Sequence, residues 1–175
     1  TANQFNLMTQ KFKSIYPNEY LGVCSGYRSV AKQQANFNAS VERVGEAETL
    51  KWYTRPGYSE HHTGFAIDFN TNSYGDRAFT GKGNQVWFKK NCHKYGFILR
   101  YQKDKIDITG YSYEPWHFRY VGVNNSLYMY KHNLTLEELK SVAEGKQVGM
   151  FSVDENVDCF VPTFDAEILN ITSSI

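Results

Sequence analysis

Two histidines, an aspartate and a glutamate stand in unusual company in this chain. In "PGYSEHHTGFAIDFN", Pro56 to Asn70, His61 and His62 precede a glycine, and a run of otherwise apolar residues finishes on Asp68. Strand alternation would put Phe65, Ile67 and Phe69 on one face and Gly64, Ala66 and Asp68 on the other. The first face reads as core. The second carries small side chains and then a carboxylate, a group seldom buried unless it is paired or binds a metal. The pattern recurs in "YEPWHFRYVG", Tyr113 to Gly122, where Trp116, Phe118 and Tyr120 alternate with His117, Arg119 and Val121. Pro115 confines Glu114 to extended backbone at the strand entry, from which its carboxylate can turn toward the His117 face.

Imidazole nitrogen and aspartate oxygen are zinc ligands, and a catalytic zinc keeps three protein ligands with a fourth position for water. His61, Asp68 and His117 would fill that set, although composition does not choose between His61 and His62. Glu114 is then free to act as general base toward the water, a role worth about 10² to 10⁴ in rate. His61 and Asp68 lie seven residues apart, so a straight strand would aim them at opposite faces. The chain must bend between them, and Gly64 is the residue best able to allow it.

The elements that would position these groups follow from periodicity and punctuation. Asn3 is expected to cap a helix over about Gln4 to Ile15, with Phe5, Met8, Phe12 and Ile15 at helical spacing and Pro17 as its stop. "YLGVCSGYRS" predicts a strand over Tyr20 to Cys24, opening at Gly26 into a loop that presents Arg28. An amphipathic helix containing Gln33 follows and breaks near Gly45, and Pro56-Gly57 marks a turn before the histidine motif. Beyond a Gly/Asn/Ser-rich loop, "QVWFKKNCHKYG" predicts a helix ending at Gly96, "FILRY" a strand, "KDKIDITGYSY" a polar turn region and "WHFRYV" another strand. Helices resume over about Asn124 to Lys131 and Thr135 to Glu144, the second opened by a Thr135/Glu138 capping box. His93 and His132 are expected on helix surfaces. The sum is an α+β domain with a small sheet.

Size and charge bound the function. At 175 residues the chain fits one domain with room for a site, and its net charge of +1, with no basic helix or arm, excludes the electrostatic footprint of a nucleic-acid binder. Aromatics at 16% suit a groove that packs against polar polymers or peptides. Cys24, Cys92 and Cys159 are odd in number and far apart, which fits neither a disulfide framework nor a metal knuckle. No apolar run reaches the roughly 18 residues of a membrane span. A start at Thr1 raises the expectation that a leader or anchor was removed.

Four pieces carry a resemblance: "SGYRS" (Ser25 to Ser29) with Gln33 five residues after the arginine, "SEHHTGFAID" (Ser59 to Asp68), "HKYGFILRY" (His93 to Tyr101) and "DITGYSYEPWHFRYVG" (Asp107 to Gly122). In this order, over roughly Ser25 to Glu144, the chain resembles the VanY-type D,D-carboxypeptidases, zinc peptidases of the LAS group that trim peptidoglycan stem peptides. The resemblance implies the LAS/hedgehog-like α+β fold, in which a small, mostly antiparallel sheet flanked by helices carries one zinc ion per chain. It places His61, rather than His62, with Asp68 and His117 as metal ligands, and Glu114 as the catalytic base. It also implies that Arg28 stabilises the oxyanion, that Gln33 and Ser59 bind substrate, and that His62 has no assigned role.

The function implied is hydrolysis of the terminal D-Ala-D-Ala bond of stem peptides or their precursors, by a monomer outside the cytoplasm of a bacterium. Alternatives are an L,D-carboxypeptidase, a muropeptide endopeptidase, or a wall-binding module with structural zinc. The membrane would be engaged only through a removed N-terminal anchor. Residues 1–145 are expected to form the peptidase domain, and residues 146–175 an extension packed on it without a family counterpart.

Overall fold

The computed structural model of the protein describes residues 1–70 and 78–145, and the expected C-terminal extension and Cys159 lie outside them. The chain opens with α1 (Ala2–Ile15), which buries Met8 and Phe12. It starts two residues earlier than the Asn3 signal predicted, with Thr1 at the cap position and no side-chain cap bond. Strand β1 is short, Val23–Ser25. Helix α2 (Val30–Val44) is capped by Ser29, whose hydroxyl accepts the Lys32 N–H, and ends at Gly45 with φ +84°. A one-turn α3 (Glu46–Thr49) and a 3₁₀ turn (Glu60–Thr63) lead to β2 (Ala66–Phe69).

The helix read from "QVWFKKNCHKYG" divides into α4 (Val86–Asn91) and a 3₁₀ turn (Cys92–Tyr95) that stops at left-handed Gly96. Strand β3 (Phe97–Leu99) follows. The segment read as a polar turn contains a short helix, α5 (Ile106–Thr109), ended by left-handed Gly110. Next come β4 (His117–Tyr120), α6 (Val123–His132) and α7 (Leu136–Ala143). Both halves of the capping box at α7 are formed: Thr135 Oγ1 accepts from the Glu138 N–H, and the Glu138 carboxylate accepts from the Thr135 N–H.

The four strands form one antiparallel sheet in the order β1-β2-β4-β3. Along β4, Phe118 faces an aromatic-rich core with Met8, Phe12, Phe69, Phe79, Phe88, Cys92, Phe97 and Leu99, while Trp116 and Tyr120 pack against its edge. Burial pushes the Cys92 thiol up to about 12, so it behaves as a small apolar group. The alternate face carries Ile98 and Val121 into a second cluster with Met129, Leu134, Leu136 and Leu139 of the C-terminal helices. The β2 and β4 ends holding Asp68 and His117 contribute those two side chains to neither apolar cluster. His93 departs from its expected surface position: it is buried, with its ring stacked 3.5 Å from that of Tyr130, whereas His132 is exposed.

Candidate metal centre and active site

Register brings the site together. Asp68 pairs directly with His117 across β2 and β4, and with Ser25 across β1 and β2. Residues directly opposite in an antiparallel pair share a face, so the carboxylate and the imidazole meet on the surface turned away from the aromatic core. His61 arrives from the 3₁₀ turn. Ser59 caps that turn by accepting the His61 N–H, and Gly64 closes it with φ +71°, which supplies the bend that the His61 to Asp68 spacing demands.

The resulting triad is compact and buried. His61 Nε2 lies 3.0 Å from Asp68 Oδ2, and His117 Nδ1 lies 2.9 Å from Asp68 Oδ1. One ligand atom from each of the three residues falls within 4.8 Å of the others. Asp68 Oδ1 is buried yet lacks an aligned hydrogen-bond donor, an arrangement that suits a cation better than a proton between the groups. Burial alone would raise the Asp68 carboxyl, but His117 and His61 hold it well below the usual carboxylate range. The free ring nitrogen of His61, Nδ1, is fixed by the Gly26 carbonyl at 2.7 Å, leaving Nε2 for a ligand. Two imidazoles and one carboxylate in this grouping fit a three-ligand zinc site.

Glu114 stands beside the triad, its Oε2 3.7 Å from His117 Nδ1. It pairs with neither Arg100 nor Arg119, both of which are buried against Glu60. Burial, reinforced by the charges of Asp68 and Glu60 and opposed by His117 and Arg28, pushes its carboxyl up to about 7. Arg28 reaches the same place from the loop after β1. One guanidinium nitrogen donates to Gln33 Oε1 at 2.8 Å, the other donates to Ser25 Oγ at 2.8 Å and approaches Asp68 Oδ2 at 3.4 Å. Its backbone N–H donates to the His61 carbonyl, which locks the arginine loop to the histidine turn.

All seven sequence-predicted site residues line one cavity of about 860 Å³. Gln33 and Ser59 sit there differently from the others. Gln33 is fully buried and uses both ends of its amide inside the protein, accepting from Arg28 and donating to the Thr54 carbonyl at 2.7 Å. Ser59 is buried at the foot of the histidine turn. Tyr27, Trp52, Tyr53, Tyr101, Tyr111 and Trp116 supply aromatic wall, so Trp116 both packs on the core and borders the cavity. His62, given no role from sequence, joins the Pro56-Gly57 turn to the arginine loop, with Nδ1 2.7 Å from the Arg28 carbonyl and Nε2 accepting the Gly57 N–H.

Sequence reasoning passed over Glu60. This residue is buried next to His61, with Oε2 3.3 Å from His117 Nε2 and Oε1 2.8 Å from Arg100 Nε and 3.1 Å from an Arg119 guanidinium nitrogen. Burial would raise its carboxyl, but Arg100, His117 and Arg119 together hold it well below its usual range. A signal existed: Arg100 and Arg119 each sit among apolar strand residues, and two buried guanidiniums require a carboxylate.

Comparisons with known proteins identify the family. The family model for VanY, D-alanyl-D-alanine carboxypeptidase, matches residues 1–123. The chain is 44% identical over 121 residues to the putative carboxypeptidase YodJ of Bacillus subtilis (strain 168), an overlap of 67% of this chain and 44% of that protein. The chain thus spans about half the length of the curated relatives it matches. Among solved structures, LdcB, an LD-carboxypeptidase, superposes with a TM-score of 0.69 at 38% identity, covering 83% of this chain and 67% of that one. A vancomycin-resistance D,D-pentapeptidase VanY from a VanB-type cassette, solved with Zn(II), superposes with a TM-score of 0.65 at 34% identity, covering 78% and 81%. With the fold, the motif order and the family match in agreement, this chain belongs to the VanY D-alanyl-D-alanine carboxypeptidase family.

Proposed function

We propose that the chain is a zinc-dependent D,D-carboxypeptidase that hydrolyses the terminal D-Ala-D-Ala bond of peptidoglycan stem peptides. The observation that carries this reading is a buried His61/Asp68/His117 triad with a carboxyl raised to about 7, that of Glu114, at its side in an open cavity. His61, Asp68 and His117 would hold zinc, which when bound supplies Lewis acidity toward water and the scissile carbonyl. Glu114 takes the proton of the attacking water and passes it to the departing D-alanine amine, a two-way transfer suited to a group titrating near neutrality. Arg28 offers donors to the carbonyl oxygen as negative charge develops there. Gln33, with Ser25, holds that guanidinium in place, and Ser59 faces the cavity as a partner for the substrate's polar end.

Residues 1–145 form the peptidase unit in this reading, with 146–175 as an extension of it. In this reading the chain works as a monomer, outside the cytoplasm of a bacterium, where stem peptides are found. Among the described residues, no helix is long and apolar enough to cross a membrane. The non-catalytic alternative has no use for Glu114, since a wall-binding module needs no base.

Incubation with muramyl pentapeptide and tetrapeptide, followed by mass measurement of the products, tests the assignment. Release of one alanine from the pentapeptide alone is the expected result. Trimming of the tetrapeptide alone would move the activity to the L,D bond, and two intact peptides in zinc-containing buffer would remove the hydrolase reading.

A further inference from the structure

Glu60 belongs to a buried set of charges that the reaction outlined above does not use. Its carboxylate lies between two guanidiniums, Arg100 at 2.8 Å and Arg119 at 3.1 Å. Arg100 is clamped on its far side by Glu137, which takes two of its N–H donors at 2.9 and 2.5 Å. Two anions thus balance two cations, and Glu60 stays ionised in the interior. An ionised carboxylate only accepts hydrogen bonds.

The second oxygen of Glu60 faces Nε2 of His117 at 3.3 Å, while Nδ1 of the same ring faces Asp68 at 2.9 Å and Glu114 at 3.7 Å. A neutral imidazole carries one proton and one lone pair, and the partner at one nitrogen decides which nitrogen holds which. We propose that Glu60 is a positioning residue for the metal centre: by accepting the Nε2–H of His117 it commits that ring to presenting the Nδ1 lone pair toward His61 and Asp68. The inference rests on the metal reading given above. The arginines act one step further out, since they keep Glu60 charged and fix its direction. Arg119 is fully buried on the strand that bears His117, and Arg100 donates its backbone N–H to the His117 carbonyl, so the same strands carry both the ligand and the clamp. Glu60 also adjoins His61 in sequence, so one 3₁₀ turn delivers a ligand on one residue and the orienter of another ligand on the next.

Zinc affinity, read by competition with a chromophoric chelator and without substrate, tests this. Glu60→Gln should bind zinc about 10- to 100-fold more weakly than wild type, the range expected when the partner of a ligating histidine is removed. Glu60→Asp, which keeps the charge, should recover part of the loss. Glu138→Gln, which disturbs the buried Lys105–Glu138 pair elsewhere in the fold, should leave affinity unchanged. A folded Glu60→Gln protein with wild-type affinity overturns the proposal, as does an equal loss in Glu138→Gln. A second measurement needs no variant: in the long-range ¹H–¹⁵N spectrum of the zinc-loaded wild-type protein, His117 should carry its proton on Nε2, and a proton on Nδ1 overturns the assignment. Failure of the wild-type chain to take up zinc at all is a different result, which removes the metal reading itself and this inference with it.

Discussion

At the scale of single residues, the groups proposed to hold a cation are distinct from Glu114, the group proposed to move protons. Asp68 and Glu114 are both carboxylates buried beside His117, yet one is held far below its ordinary range and the other is pushed up to about 7. The difference is partnership. Asp68 has two imidazoles against its oxygens, while Glu114 has the His117 ring no nearer than 3.7 Å and the charges of Asp68 and Glu60 nearby. Divergent environments for neighbouring acids mark divergent roles. Glu114→Gln preserves shape and removes the base, so hydrolysis of the pentapeptide should fall by about 10² to 10⁴ while zinc stoichiometry stays at wild type. Steady-state rates paired with metal analysis check both halves; a variant that still turns over normally would unseat Glu114.

At the scale of elements, turns and register do the positioning. The triad is assembled by one cross-strand pair and one glycine-terminated turn, so conformations at a few glycines matter more than their lack of side chains suggests. Gly96 shows this most sharply. It ends the Cys92–Tyr95 turn with φ +84°, and a methyl group there would lie 2.5 Å from the Tyr120 ring and 3.2 Å from the Gly122 backbone. Gly96→Ala combines left-handed strain with overpacking at the β3–β4 pair and should cost about 2 to 4 kcal/mol. Urea unfolding monitored by circular dichroism measures it, and a midpoint within error of wild type would refute the steric argument.

At the scale of the whole molecule, the sheet is held by aromatic packing on one face so that the other can carry charge. Phe88 is the hub of that packing, fully buried, with its ring centroid 4.6 Å from Phe12, 4.7 Å from Phe69 and 5.5 Å from Phe79. Phe88→Ala should destabilise the fold by about 3 to 5 kcal/mol. Because Phe88 packs in the aromatic core and the triad lies on the other face of the sheet, zinc affinity of the fraction that remains folded should match wild type, measured by chelator competition at low temperature beside a denaturant titration.

Much of this was legible in the residues themselves. Two aromatic-backed strands, one opening on His117 and the other closing around Asp68, a glycine placed to bend the chain after His61, a proline aiming Glu114 and a capping box at Thr135 are local signals, and local backbone preferences act over only a few residues. The order of the motifs pointed to the family. Element edges were less legible: β1 begins at Val23 rather than Tyr20, and α5 forms where only a turn was read, because pairing partners and packing trim short elements. What tertiary structure alone decided is where long-range charges end up. Arg100 and Arg119 could have been surface cations and Glu114 their partner, yet the fold buries both on Glu60 and leaves Glu114 beside His117. Likewise Gln33, read as a group for substrate, turns both ends of its amide inward to Arg28 and Thr54. Periodicity assigns a side chain to a face; only the register of distant strands, set by burying the aromatic core, determines which charged groups share that face and at what distance.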